Sequence, residues 1–400
     1  MPSVAIIGGG AAGLVAASFA AAAGAETTLI ERTKDGGRKI LISGGGRCNV
    51  LPSVLAPERF VTDSPAHLLR GMLRAWPLHE QRRFFEDDLG IPLALEEESG
   101  KLFPRSNRAR DIRDGLVAFA QSRGVRIQFE TTVSGITPVN GGFSVSTSRG
   151  ELSCDRVVIA TGGLSVPTTG SDGTGLDIVR QLGHTMIDTY PALTPLLDDR
   201  DTHVSLAGVS LEVRLRAKVG ARVTESHGGF LFTHRGYSGP SVLDISHLTA
   251  RGEVPVIRAQ WADRTAAQWD LDFSGRGDAG VAAIIGWHLP GRLGEHLMSK
   301  VGIPHDRRTS SLKRTERIAL VESLASYPLA WSGNEGYKKA EVTGGGVALG
   351  EVDAKTLESR RVPGLYLCGE MLDAFGPIGG HNFSWAWATG RAAGLAAGRA

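Results

Sequence analysis

Ser3-Val4-Ala5-Ile6-Ile7-Gly8-Gly9-Gly10-Ala11-Ala12-Gly13 stands at the head of the chain, and alanine dominates the residues between Gly13 and Gly24. The apolar run before Gly8 predicts a buried parallel strand. Residues 10–23 predict a helix of strong formers, and 27–30 a second strand. In a G-x-G-x-x-G between strand and helix, Gly8 makes the tight turn, Gly10 admits a diphosphate to the backbone, and Gly13 lets helix and strand pack closely. The helix start at Ala11 and Ala12 offers unpaired N–H groups and the positive end of a dipole to phosphate. Glu31, with Arg32 beside it, ends the second strand, where a carboxylate takes ribose hydroxyls. The pattern predicts a dinucleotide site without separating NAD from FAD.

Working outward, 34–50 reads as a glycine-rich loop and 58–89 as mostly helical. A further helix is expected at 111–123 and a strand at 125–129. Strands are expected at 143–148 and 152–160, the latter ending in Ala160-Thr161-Gly162-Gly163, and then a helix at 174–182. From Thr194 the strand–helix alternation stops. Residues 204–219, 229–233 and 254–273 suggest β structure, and 279–330 several short helices. The α/β texture returns near Lys339. The expected organisation is a first part at 1–192, an inserted substrate or cap domain at 193–337 (β-rich at 193–275, helical at 276–337), and a returning part at 338–400.

The C-terminal part separates the cofactors. Gly364-Leu365-Tyr366-Leu367-Cys368-Gly369-Glu370 puts an acid just after a strand, and Gly379-Gly380-His381-Asn382 opens a helix. A second helix start suits negative charge at the ring end of a long cofactor. Glu370 is placed for ribityl hydroxyls, with Asp373 close by in sequence. An NAD-only dehydrogenase has no use for this distant pair, so FAD is the expected cofactor.

Composition narrows the alternatives. The formal charge is +2 with no polybasic run, which speaks against a nucleic-acid partner. Cys48, Cys154 and Cys368 are far apart with no CxxC, against zinc, a disulfide framework or a dithiol relay. No metal is expected. The apolar stretch 11–25 has no basic leader and is too short to span a bilayer, so a cytoplasmic, membrane-free protein is expected. Oligomeric state is left open.

Several stretches together resemble a family of FAD flavoproteins that includes the BaiN-type C=C reductases and aminoacetone-oxidase-like proteins. They are Gly37-Arg38-Lys39-Ile40-Leu41-Ile42-Ser43-Gly44-Gly45-Gly46-Arg47-Cys48-Asn49, Lys101-Leu102-Phe103-Pro104, Ala160 to Gly163, Leu231 to Pro240, and Thr343-Gly344-Gly345-Gly346-Val347, with the C-terminal helix start. The resemblance covers nearly the whole chain. It implies an α/β fold: a Rossmann-like FAD-binding domain with a glutathione-reductase-like core, an inserted β-rich domain and a small helical subdomain. It adds Val133, Gly162, Gly163, Gly369 and Phe383 to the cofactor set. Two departures are His381, where such proteins often carry tyrosine, and Phe375-Gly376-Pro377-Ile378 in place of their commoner loop.

Physically, Ser43 to Asn49 suits a flavin cradle: glycines leave room for a flat ring, while Ser43 and Asn49 can bond its polar edge. Arg38 and Lys39 are placed for phosphate or ribityl oxygens, with solvated surface charge the alternative. Catalytic candidates are His234 and Tyr237 in the insert, together with His381 and Cys48. Histidine titrates near neutrality, although packing serves equally well for Cys48. No second G-x-G-x-x-G stands after a strand, so NAD(P)H is expected to dock transiently as electron donor. The expected activity is NAD(P)H-driven reduction of an activated C=C bond in a small molecule. The alternatives are an FAD oxidase of an amine or hydroxylated compound, a flavin-dependent RNA-modifying enzyme and a redox-sensing flavoprotein.

Overall fold

The computed structural model describes residues 1–399 apart from 201, 253 and 276. They form two compact units, Met1–Pro191 with Glu341–Ala400, and Ala192–Ala340.

The first unit is built on a five-stranded parallel sheet. Its strands are β1 (Ser3–Ile7), β2 (Glu26–Ile30), β3 (Arg126–Gln128), β4 (Arg156–Ile159) and β5 (Leu365–Leu367), in the spatial order β5-β4-β1-β2-β3. β1 lies between β2 (Ile7 opposite Ile30) and β4 (Ile7 opposite Ile159), and β5 continues the sheet beyond β4. The chain steps from β1 to β2 and β3 on one side, then returns to β4 on the other. The strand order therefore reverses between β1 and β4, and in such sheets ligands bind beyond the carboxyl ends at that point. Gly8 and Thr161 stand at those ends.

Three helices matter for the site: α1 (Ala11–Ala22), α2 (Ala66–Arg74) and α3 (His381–Gly398). α1 is buried on almost every side, as its alanine-rich composition allows. It packs along α3, where Gly390, Gly394 and Gly398 recur every fourth residue. A Cβ on these would sit 2.4, 2.2 and 2.4 Å from the carbonyl oxygens of Ala12, Ala16 and Ala20. The two helix backbones thus touch along their length, and the two ends of the chain are joined in one core.

Smaller sheets complete this unit: Leu51–Pro52, Leu93–Glu96 and Lys101–Pro104 in one antiparallel sheet, Val133–Val139, Gly142–Thr147 and Gly150–Cys154 in another, and Met186–Ala192 paired with Val342–Val347. The expected loop at 34–50 contains a short helix, Arg38–Ile42, and a tight turn, Ser43–Gly46. The helical stretch at 58–89 is α2, Leu78–Arg83 and a π-helical turn, Phe84–Asp88, with 60–65 non-helical. The single strand expected at 152–160 is two, because Asp155 turns aside to accept hydrogen bonds from Ser3 N–H (2.6 Å) and Ser3 Oγ (2.8 Å).

The second unit is a seven-stranded antiparallel sheet with helices. Its long strands are Ser210–Val219, Arg222–Phe232 and Val256–Gln260. Ala266–Gly275, expected as β, is a helix, and Tyr327–Pro328 and Gly333–Asn334, expected in helical territory, are short strands of the sheet. The core is aromatic: Phe230, Phe232, Tyr237, Trp261 and Trp269 are all fully buried. Within it His203 Nδ1 lies 2.7 Å from Tyr237 Oη, and its Nε2 lies 3.0 Å from Tyr327 Oη.

Candidate functional site

At the end of β1 the fingerprint adopts the geometry its glycines permit. Gly8 has φ 103°, and a Cβ on Gly13 would fall 1.8 Å from Gly8 O, so helix and strand pack as closely as the motif requires. A Cβ on Gly10 would meet nothing within 4 Å. Gly45 likewise faces open space, and Gly46 only grazes Leu41 O at 4.0 Å. No protein atom covers the Cβ positions of Gly10 and Gly45, and Gly45 and Gly46 are exposed.

Glu31 is almost fully buried, yet both its oxygens are oriented. Oε2 accepts the Gly9 N–H at 2.6 Å, and Oε1 accepts Thr33 N–H (2.7 Å) and Oγ1 (2.6 Å). A carboxylate offers about four acceptor sites, so one remains for a ribose hydroxyl. Beyond Glu31 a groove of about 470 Å³ is lined by Arg32, Thr33, Lys34, Arg38, Glu130 and Asp172 among others. Arg32 is ion-paired to Asp172, and Arg38 Nε reaches Asp35 at 3.1 Å.

A second polar centre lies over the ends of β4 and β5. Lys39 Nζ donates to Glu370 Oε2 (2.7 Å) and to Ser165 Oγ (2.8 Å), while Glu370 Oε1 accepts from Ser165 Oγ (2.5 Å) and Thr343 N–H (3.0 Å). Thr343 Oγ1 accepts the N–H groups of Leu164 and Ser165. Gly163 must be glycine, since a Cβ there would meet Thr343 Oγ1 at 2.3 Å. Thr161 Oγ1 is buried with no hydrogen-bond partner among the described residues. Sequence reasoning misses Ser165 and the role of Thr343, because four separate segments meet here and no local pattern joins them.

These residues fit a dinucleotide: three glycines whose side-chain space is open, a cation-bearing groove for phosphate, and carboxylates at both ends for hydroxyls.

Other expected residues have partners within the protein. Asp373 is 1% exposed, and its Oδ2 accepts from Thr62 Oγ1, Asp63 N–H, Ser64 N–H and Ser64 Oγ. It clamps the 62–64 loop, and burial pushes its carboxyl above the usual range. Arg47 pairs with Glu96 at 2.9 Å and lies over Phe103. The Asn382 amide bonds both N–H and C=O of Gly376. Phe383 stacks on Trp387, and Ser43 Oγ donates to Ile40 O. Val133 is a buried residue of a small antiparallel sheet. Gly44 has φ 55° and turns the chain beside Asn49, while Gly162, Gly369, Gly379 and Gly380 also take positive φ.

The catalytic candidates change more. Cys48 is fully buried and burial pushes its thiol up to about 12, the environment of a packing cysteine rather than an activated thiolate. Tyr237 is 0% exposed; burial drives its phenol upward, and its O–H donates to Asp198 at 2.9 Å. It is a core residue of the second unit. His234 is exposed in the turn at 233–235.

His381 is 4% exposed beside Phe60, and neither ring nitrogen makes a hydrogen bond of good geometry among the described residues. Burial, with the charge of Arg59, lowers its pKa to about 4, and the nearby backbone of Ile378 and Val54 only partly opposes this. It is neutral at pH 7 and holds no acidic proton there. Burial brings His203 and His247 to about 4 as well. In the unfolded chain these groups titrate near 6.5, so stability is full above that pH and falls as pH drops from 6.5 to about 4. Each contributes a loss on the order of 3 kcal/mol when complete. Urea midpoints measured across this range should decline with falling pH; a flat profile would refute the neutral assignment.

The chain matches the HI0933-like protein Rossmann domain over residues 2–396. It belongs to that family. The family resemblance read from Gly37 to Asn49 and the C-terminal helix start is thereby borne out. This HI0933-like chain is 34% identical over 368 residues to the ribosomal RNA dihydrouridine synthase of Escherichia coli (strain K12), covering 90% of this chain and 89% of that one. It is 32% identical over 379 residues to the 3-dehydro-bile acid delta(4,6)-reductase of Clostridium scindens, covering 92% of each. Among solved structures, a 3-ketosteroid-delta4-(5alpha)-dehydrogenase from Rhodococcus jostii RHA1 shares the fold, with TM-score 0.53, 16% identity, and 99% and 96% of the two chains covered. Among the described residues no helix is long and apolar enough to cross a membrane, and no group of metal-ligating side chains occurs.

Proposed function

We propose that this FAD-dependent oxidoreductase saturates a carbon–carbon double bond conjugated to a carbonyl, with NAD(P)H as electron donor. The observation that carries the reading is the pair of polar centres at the sheet's switch point, Glu31 with open Gly10 and Lys39–Glu370 with open Gly45 and Gly46. Bound FAD supplies hydride transfer. Glu31 holds the ribose, and the α1 start with the cations of the 32–38 groove holds the diphosphate. Glu370 receives ribityl hydroxyls, and Lys39 keeps that carboxylate oriented and its charge balanced. Gly44 to Gly46 leave the ring its space. In this reading 193–337 is the substrate domain, and His234 is the one proton-transfer candidate of the four that stands exposed to solvent.

The names of the two relatives describe one type of chemistry. A dihydrouridine synthase saturates the uracil ring, and a 3-dehydro-bile acid delta(4,6)-reductase saturates a ring conjugated to a ketone. A uracil ring in RNA is therefore a second substrate class beside a small enone, which the near-neutral composition does not suggest.

Anaerobic mixing with NADH or NADPH tests the reading. Flavin absorbance should bleach, and an added enone or uridine-containing RNA should restore it. If oxygen alone reoxidises the flavin after reduction by an amine or alcohol, the enzyme is an oxidase and this reading fails.

A further inference from the structure

Helix α2 buries Leu69, Met72 and Leu73 and turns His67, Arg70 and Arg74 outward. Spacings of three and four place these three on one face. Arg70 and Arg74 form no ion pair among the described residues, and as a like-charged pair four apart they disfavour the helix slightly. The helix dipole favours Arg74 in the last turn but gives no reason for Arg70. Just past the helix end Arg391 adds a third guanidinium: it donates to Ala75 O at 3.4 Å and lies over Trp76. Glu80 faces Arg391, and Asp63 stands ahead of the helix in sequence. The strip is also tied to the segment between β5 and α3. Asp373, between β5 and α3, clamps the 62–64 loop that leads into α2, and Ser64 Oγ accepts the Leu349 N–H.

We propose that the outward face of α2, with Arg70, Arg74 and His67, docks the phosphate backbone of single-stranded RNA. The proposal rests on the double-bond-reductase reading and narrows its substrate class to a uracil ring carried in a polynucleotide. Charge complementarity favours this occupant: the face is positive, lacks acidic partners along its length, and is too polar for an apolar partner. Arg70 and Arg74 are separated by a rise of about 6 Å, the scale of one nucleotide step. Guanidinium groups suit phosphate because their donors are fixed and planar.

The test uses the flavin-loaded full chain and a fluorescein-labelled oligouridylate, with anisotropy read between about 50 and 200 mM salt. Wild type should bind, with affinity falling as salt rises. In Arg70→Glu/Arg74→Glu the slope of log affinity against log salt should flatten by about 1.4, roughly 0.7 for each lost phosphate contact. The milder Arg70→Gln/Arg74→Gln should flatten it alike, while Arg214→Glu/Arg216→Glu, on the sheet of the second unit, should not. Absence of wild-type binding, an unchanged slope, or equal flattening in the Arg214/Arg216 variant overturns the proposal. Flavin content and bleaching of the flavin by NADH or NADPH are expected to persist in the α2 variants. Absence of that bleaching in wild type would sink the reductase reading instead, so the two failures are distinguishable.

Discussion

Gly10→Val should yield a folded but colourless protein. Gly10 has φ −83° and ψ −166°, extended backbone that a β-branched residue adopts readily, and no protein atom stands where its Cβ would go. The apo fold should therefore lose no more than about 1 kcal/mol, the scale of an unfavourable helix-start residue. The cofactor has no such latitude. Filling its space costs about 1–3 kcal/mol, and lost hydrogen bonds to a charged group cost about 1.5–3 kcal/mol more. FAD affinity should drop roughly a thousandfold, equivalent to about 4 kcal/mol. Flavin titration by fluorescence quenching, beside a urea melt of the apo protein, reads both quantities. Full FAD occupancy in the variant would mean that the diphosphate lies elsewhere.

Gly394→Val should do the opposite and destroy the fold before any question of cofactor arises. A Cβ there lands 2.2 Å from Ala16 O and 2.9 Å from Ala16 C and Cα, all backbone atoms of a neighbouring helix that cannot swing aside. α1 and α3 would have to part, taking with them the flanking contacts at Gly390 and Gly398. The loss should be about 3 kcal/mol or more, at the upper end for overpacking and a large share of the roughly 5–15 kcal/mol that holds a typical domain together. Insoluble expression, or a urea midpoint far below wild type, is the expected result. Gly71→Ala in α2 is the control: its Cβ meets nothing within 4 Å, and a helical glycine replaced by alanine should gain about 0.5–1 kcal/mol. Equal stability of the two variants would contradict the close contact of α1 and α3.

The contrast between these glycines shows what is legible in the sequence. The fingerprint can be read because its information is local: strand, turn, helix and acid stand in order within the first 31 residues. The parallel sheet and the return of the C-terminal segment to it are legible for the same reason. Gly390, Gly394 and Gly398 are not, since their meaning lies in Ala12, Ala16 and Ala20 at the far end of the chain. The same limit hides the Lys39–Ser165–Glu370–Thr343 network, where each partner comes from a different segment. Asp373 reads as a cofactor ligand because an acid near a flavin loop looks the same in sequence whether it faces the cofactor or clamps a loop; its bonds to residues 62–64 are visible only in the structure. Helix 266–275 reads as β because Trp269, Leu271 and Phe273 alternate as strand residues do, while tertiary packing overrides that pattern. Net charge is silent about α2, because a total of +2 averages over faces that differ locally.

The most direct measurement is the visible spectrum of the purified chain, followed by heat release and identification of the nucleotide. The account predicts a yellow protein carrying one FAD for each chain in wild type and none in Gly10→Val. A wild-type preparation that stays colourless after incubation with FAD would contradict it.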